Sequence, residues 1–207
     1  MAGKGKYYES QFEEATIELL RESHWQYTFG DDIHRKYTDP LIEEDLRTFL
    51  AAQYKDKKLT ASEMDGIVAN LRNTGGQNDY YAQQNTFLLY RDGYDFTYSD
   101  GRDNPFRLQY IDFEHPDHNI FRCVNQFVME QGRENRRPDI LLFVNGIPVC
   151  IVELKNPTKQ NATIRDAHTQ ICTRYMRDIP ALLKYCALAV ISDGAKNELG
   201  TTYTPFE

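Results

Sequence analysis

Apolar positions recur along the chain with two periods, and the changes of period mark its elements. From Tyr8 to Glu22 the residues Phe12, Ala15, Leu19 and Leu20 fall near helical spacing. Ser10 with Glu13 three residues later fits a capping box at the head of that helix. Trp25, Tyr27 and Phe29 then alternate up to Gly30, a short strand or extended segment. Asp39-Pro40 has the form of an N-cap and first-turn proline, followed by the stripe Ile42, Leu46, Phe49 and Leu50. Thr60 and Glu63 repeat the capping-box pattern ahead of Met64, Ile67, Val68 and Leu71, and Tyr80 to Leu89 is a further helical run stopping near Gly93. These three segments form a helical insert over about residues 36–92, their stripes suited to a core rather than to a binding surface.

From Tyr94 the period becomes two. Tyr94, Phe96 and Tyr98, a Ser99-Asp100-Gly101 turn, then Phe106, Leu108 and Tyr110 predict a β-hairpin. Asn119 to Met129 is a further strand. Two apolar runs follow, Asp139 to Val144 and Ile147 to Leu154, separated by Asn145-Gly146, the pair that a type I′ hairpin turn demands. Asn156-Pro157 ends the second run. Thr163 to Arg177 predicts a helix stopped by Pro180, and Lys184 to Ser192 a buried strand terminated by Asp193-Gly194. The chain then runs to Glu207 without a terminal element of its own, which fits an expressed fragment. The order of elements gives an α/β fold with a mixed β-sheet flanked by helices, in one domain over residues 1–207.

Charge changes this picture locally. The net charge of -7 argues against strong autonomous DNA binding. Basic residues nevertheless gather around the central hairpin: Arg133, Arg136 and Arg137 before it, then Lys155, Lys159, Arg165, Arg174, Arg177 and Lys184. They are a strip for phosphates or an ordinary solvated face. Cys123, Cys150, Cys172 and Cys186 show no C-x-x-C spacing and read as reduced thiols of a cytosolic protein, without a zinc site among them. No apolar run has the length of a membrane span or the form of a signal peptide. Asp112, His115, Asp117 and His118 are metal-ligating types, but Pro116 and the turn-like setting predict a solvated loop.

The candidate chemistry lies in the central hairpin. Side chains alternate along a strand, so Glu153 and Lys155 share a face, and the hairpin folds Asp139 back beside them. Two carboxylates, with the Leu154 carbonyl as a third oxygen, suit a hard cation such as Mg²⁺. With an ammonium alongside, the set fits metal-assisted phosphodiester hydrolysis. A bare E-x-K is also what a solvated ion pair looks like. Here both runs are apolar on two faces up to the charges, and charges at the end of a covered hairpin call for a partner or a metal.

Pro138-Asp139 followed by Glu153-Leu154-Lys155 resembles the PD-(D/E)xK nuclease signature. The wider wording, RPDILLFVNGIPVCIVELKNPT with RYMRDIPALLKYCALAVISDG downstream, resembles the N-terminal nuclease domain of the motor (R) subunit of type I restriction enzymes. The resemblance runs from about Tyr8 to the C-terminus and is most specific from Arg137 to Gly194. It implies a restriction-endonuclease-like fold and Mg²⁺-dependent cutting of double-stranded DNA. It also implies an ATP-driven translocase after this domain, and methylation and specificity subunits as partners, in the cytoplasm. No G-x-x-x-x-G-K-[ST] occurs, so these residues are not expected to hydrolyse ATP.

The family carries a glutamate on its first helix facing the metal. Glu13 matches it, with Glu9 and Glu14 as competitors. The family also carries Q-x-x-x-Y beside the site. Gln170 matches its glutamine, but Tyr175 is five residues on, and a regular helix would turn it partly away and offer Arg174 instead. A free-standing repair or recombination nuclease, and a silent docking scaffold, are the alternatives. Retention of Asp139, Glu153 and Lys155 together counts against the scaffold.

Overall fold

A computed structural model describes residues 4–155 and 163–206, with side chains from residue 10 onward. Its centre is a six-stranded mixed sheet. In spatial order the strands are β1 (Gln26–Phe29), β4 (Phe121–Asn125), β7 (Ile140–Val144), β8 (Ile147–Leu154), β9 (Leu188–Ser192) and β10 (Asn197–Gly200). β7 and β8 are the predicted hairpin and occupy the middle. β4 and β8 flank β7 antiparallel, while β9 runs parallel to β8.

The two faces are covered by different helices. Helix α1 (Lys4–Glu22) lays Phe12, Ile17 and Leu20 on Cys123, Ile140, Cys150, Val152 and Leu154. The opposite face, with Leu141, Phe143, Ile151 and Ile191, packs against α5 (Ile164–Thr169), a π turn (Gln170–Tyr175), α6 (Met176–Asp178) and α7 (Pro180–Leu183). This double cover is why both hairpin strands read as continuous apolar runs. A third cluster joins α2 (Glu43–Gln53), α3 (Ala61–Asn73) and α4 (Asp79–Asp92) to the small hairpin β2 (Tyr94–Phe96) and β3 (Phe106–Leu108). It includes Val144 and Ile147, so the helical layer sits at the turn end of β7–β8.

That turn is buried. Asn145 (φ 52°) and Gly146 (φ 75°) take the left-handed conformations of a type I′ turn. The Asn145 amide donates to the Tyr110 carbonyl at 2.9 Å and to Asn119 Oδ1 at 2.8 Å, and its Oδ1 accepts from the Ile120 N–H at 2.8 Å. The Ile42 N–H donates to the Gly146 carbonyl at 2.9 Å. A Cβ on Gly146 would lie 2.1 Å from the Ile42 carbonyl oxygen.

The structure corrects several boundaries. Helix α1 already runs at Lys4, so Ser10 is interior to it rather than its cap. Its buried stripe passes through Ile17, leaving Leu19 65% exposed. Asp39 opens a turn, accepting from the Leu41 N–H at 3.1 Å, and α2 begins only at Glu43. The Asn119–Met129 strand stops at Asn125, because Gln126 takes φ 55° and turns its N–H onto the Asp139 carbonyl. The small hairpin β5 (Met129–Gln131) and β6 (Glu134–Arg136) follows. Pro180 opens a helical turn as well as ending one, so β9 starts at Leu188 and not at Lys184. After Asp193-Gly194 comes β10, a terminal strand the sequence reading lacked. Asp112 is 4% exposed, at odds with a solvated loop. The Thr60–Glu63 capping box and the Gly93 stop stand as predicted. Among the described residues no helix is long and apolar enough to cross a membrane.

Candidate active site

The charged end of the hairpin lies opposite its buried turn. Asp139 immediately precedes β7, Glu153 is the penultimate residue of β8, and Lys155 follows that strand. Antiparallel pairing brings them together, since Ile140 faces Val152 and Asp139 Oδ2 accepts from the Leu154 N–H at 2.8 Å. Glu153 is 1% exposed.

A closed ring of hydrogen bonds holds it. Lys155 Nζ donates to Glu153 Oε1 at 2.7 Å and to Gln170 Oε1 at 3.0 Å. Gln170 Nε2 donates to the Tyr175 hydroxyl at 2.7 Å, and that hydroxyl donates to Glu153 Oε2 at 3.2 Å. Both Glu153 oxygens and both ends of the Gln170 amide are thereby used. Five-residue spacing, expected to swing Tyr175 aside, does not do so here. The segment Gln170–Tyr175 is a π turn, whose i to i+5 closure returns residues five apart to one face. Arg174 instead points into an exposed setting and lines an open cleft of about 600 Å³ with Arg136, Arg137, Gln170 and Tyr175.

A third carboxylate approaches from α1. Glu13 Oε1 accepts from Asn125 Nδ2 at 2.7 Å, and Gln126 Nε2 reaches both Glu13 oxygens at 3.1 and 3.2 Å. Glu14 is exposed, and the Glu9 side chain is outside the described set. The Tyr27 hydroxyl donates to Asn125 Oδ1 at 3.1 Å, fixing the amide that holds Glu13. Gly30 permits this packing, since a Cβ there would meet the Gln126 carbonyl oxygen at 2.6 Å. Asn125, Gln126 and Tyr27 escaped the sequence reading. Their only local signal was the break in strand pattern at Gln126.

Electrostatics register the crowding. Burial pushes the Glu153 carboxyl up to about 8, and the neighbouring Asp139 charge adds to this against the opposing Lys155. Glu13 is raised by burial first and by Asp139 as well, while its two amide partners and the Arg137 charge oppose the rise. Burial, then the Glu153 charge, raises the Tyr175 phenol and keeps it a donor. Glu13 and Glu153 both resist ionising beside Asp139, a set that a cation would relieve.

The basic strip is partly spent elsewhere. Arg136 and Arg177 pair with buried Asp178, Arg165 lies over the Phe206 ring, and Lys184 Nζ donates to the Arg72 and Thr74 carbonyls. Lys159 lies outside the described residues. Arg137 and Arg174 remain exposed on the cleft.

Comparison with known proteins adds a family to this geometry. The model of the family described as "Type I restriction enzyme R protein N terminus" matches residues 6–207. The chain is similar to the type I restriction enzyme HindI endonuclease subunit of Haemophilus influenzae, 29% identical over 209 residues, covering 96% of this chain and 20% of that one. It is also similar to the putative type I restriction enzyme MjaIXP endonuclease subunit of Methanocaldococcus jannaschii. There the identity is 43% over 97 residues, covering 45% of this chain and 9% of the relative. The EcoprrI endonuclease subunit of Escherichia coli is 34% identical over 105 residues, covering 49% and 31%. The chain thus spans a fifth of the length of the HindI subunit.

Proposed function

The chain belongs to the family of type I restriction enzyme R protein N termini, and on that premise we propose that it is the endonuclease domain of such a subunit, cutting double-stranded DNA by Mg²⁺-dependent phosphodiester hydrolysis. The observation that carries this reading is the ring Glu153–Lys155–Gln170–Tyr175 with Asp139 across the hairpin. Asp139 and Glu153, with the Leu154 carbonyl, are the proposed metal ligands, and Glu13 bounds the site from the first helix. The donor set is all oxygen, and burial and then the Asp139 charge raise the Glu153 carboxyl, so it fits a hard divalent cation. When bound, Mg²⁺ supplies Lewis-acid polarisation of the phosphate and a bound water of lowered pKa.

The protein's own groups do the rest. Lys155 holds a positive charge where the attacking oxygen and the phosphate meet, and Gln170 fixes the ammonium there. Tyr175 holds Glu153 in one rotamer. A water oxygen bonds to phosphorus as the P–O ester bond breaks. The water's proton passes to solvent and the departing oxygen takes up a proton. Arg137 and Arg174 line the cleft through which the phosphate backbone would run, a contact that positions DNA without reading its sequence.

In this reading the domain is single over residues 1–207, with residues 36–92 as a helical insert. In the whole cytoplasmic subunit, ATP serves a motor beyond these residues, and the partners are methylation and specificity subunits. The test is plasmid cleavage by the assembled enzyme, parent against Asp139→Ala, with Mg²⁺ supplied or chelated. Loss of cutting in the variant and in chelator is expected. Undiminished cutting by Asp139→Ala overturns the reading.

A further inference from the structure

A second convergence of ligand-type side chains lies away from the carboxylates, between β3 and β4. Asp112 is 4% exposed, and its Oδ1 accepts the N–H groups of Glu114 and His115 at 3.0 and 2.9 Å. Its Oδ2 accepts from Gln53 Nε2 at 3.0 Å and lies 3.1 Å from His118 Nδ1 and 3.6 Å from His115 Nδ1. The last distance is too long for a hydrogen bond. Yet His115 holds its ring against that of His118, with centroids 5.0 Å apart and planes 19° from parallel. Hydrogen bonding to Asp112 therefore accounts for Gln53, for the His118 ring and for the His115 backbone, but not for the His115 ring.

A bound ion accounts for all three. The ligand atoms of Asp112, His115 and His118 lie within 4.8 Å of one another. Bonds of about 2.0–2.1 Å to a tetrahedral ion put its donors roughly 3.4 Å apart. The observed 3.1 and 3.6 Å stand on either side of that spacing. Neutral imidazole is the form that takes a metal. Two ring nitrogens and one carboxylate oxygen suit a borderline ion and disfavour Mg²⁺, which prefers oxygen. Both rings are exposed on their outer side, leaving a position for water.

We propose that Asp112, His115 and His118 form a second metal site, for Zn²⁺ or a similar divalent transition ion, separate from the nuclease carboxylates. Gln53 is the last residue of α2, and its bond to Asp112 orients the carboxylate. The ion then closes the segment before β4 on itself, while the Gln53 bond ties that segment to α2, a structural role rather than a chemical one.

The experiment is calorimetric titration of ZnCl₂ into the chelator-treated chain, in a Mg²⁺ excess and on an Asp139→Ala background that weakens the other carboxylate centre. One saturable equivalent is expected. Its dissociation constant should rise at least about tenfold in His115→Ala and in His118→Ala, and to a smaller degree in Gln53→Ala. Because both rings are largely exposed, these variants should melt normally without metal. Zn²⁺ should raise the melting temperature of the parent but not of the double histidine variant. Absence of a saturable equivalent, or equal affinity in His115→Ala/His118→Ala, overturns the site.

Discussion

Gln170 and Tyr175 are five residues apart in sequence and 2.7 Å apart in space, joined across a single π turn. A π turn is one residue inserted into an α-helix, and it costs the helix its regular bonding. Here the insertion is absorbed at the point where the glutamine and tyrosine must face Glu153 together. Tyr175→Phe should therefore reduce cleavage about as much as Gln170→Ala, with divalent-ion affinity close to parent in both. Rates and ion titrations on the two variants side by side check this. Normal cutting by Tyr175→Phe would break the ring's claim to function.

Deleting Thr173, an exposed residue inside the turn, should return the segment to a regular α-helix with glutamine and tyrosine four apart. The shortened chain is expected to keep its melting temperature within a few degrees and to retain cleavage. A deletion of one residue within α5 should do neither, because it rotates Ile164 and Ala167 off the sheet. Thermal melts and plasmid assays separate the two deletions.

Lys155→Ala should lower Mg²⁺-dependent cleavage on the order of hundredfold or more, from the loss of charge stabilisation in the transition state. The fold should persist, since the residue follows a strand and is not part of the apolar core. Steady-state rates with matched circular dichroism give the answer.

Glu153 ties stability to pH. Raised from 4.5 to about 8, it keeps in the folded chain a proton that the unfolded chain loses. Its contribution is full below pH 4.5, declines as pH rises toward 8, and is gone above that. The total is on the order of 5 kcal/mol. Metal-free melts across this window should show the decline, Glu153→Gln should flatten it, and added Mg²⁺ should oppose it in the parent alone. A pH-independent melt in the parent would refute the assignment.

Gly146→Ala should destabilise the chain by about 3 kcal/mol or more, because a positive φ and a backbone oxygen at contact distance forbid the methyl. Denaturant unfolding measures it. Cleavage per folded molecule should be unchanged, since the turn is at the far end of the hairpin.

The central hairpin was legible because its signals are local. Asn145-Gly146 allows one turn type, but the register that sets Asp139 against Leu154 also needs a one-residue shift between Leu142 and Phe143, which no local signal marks. The Thr60–Glu63 cap was likewise legible from local signals. The match of Glu13 to the family's first-helix glutamate rests on family likeness alone. Its holders Asn125 and Gln126 lie over a hundred residues away, joined to it only by the parallel pairing of β1 with β4. The π turn was invisible because no residue type marks it. β10 was missed because Asn197 to Gly200 shows no apolar alternation, and two of its four residues are charged or amide.

The buried turn gives the molecule two poles. β8 has eight residues, so its ends are separated by about 23 Å. Everything fastened to the turn pole, including the exposed loop from Ser99 to Asn104, is held a strand's length from the carboxylates by a rod pinned at Ile42. A fluorophore or surface tether attached in that loop would leave the cutting pole facing open solution.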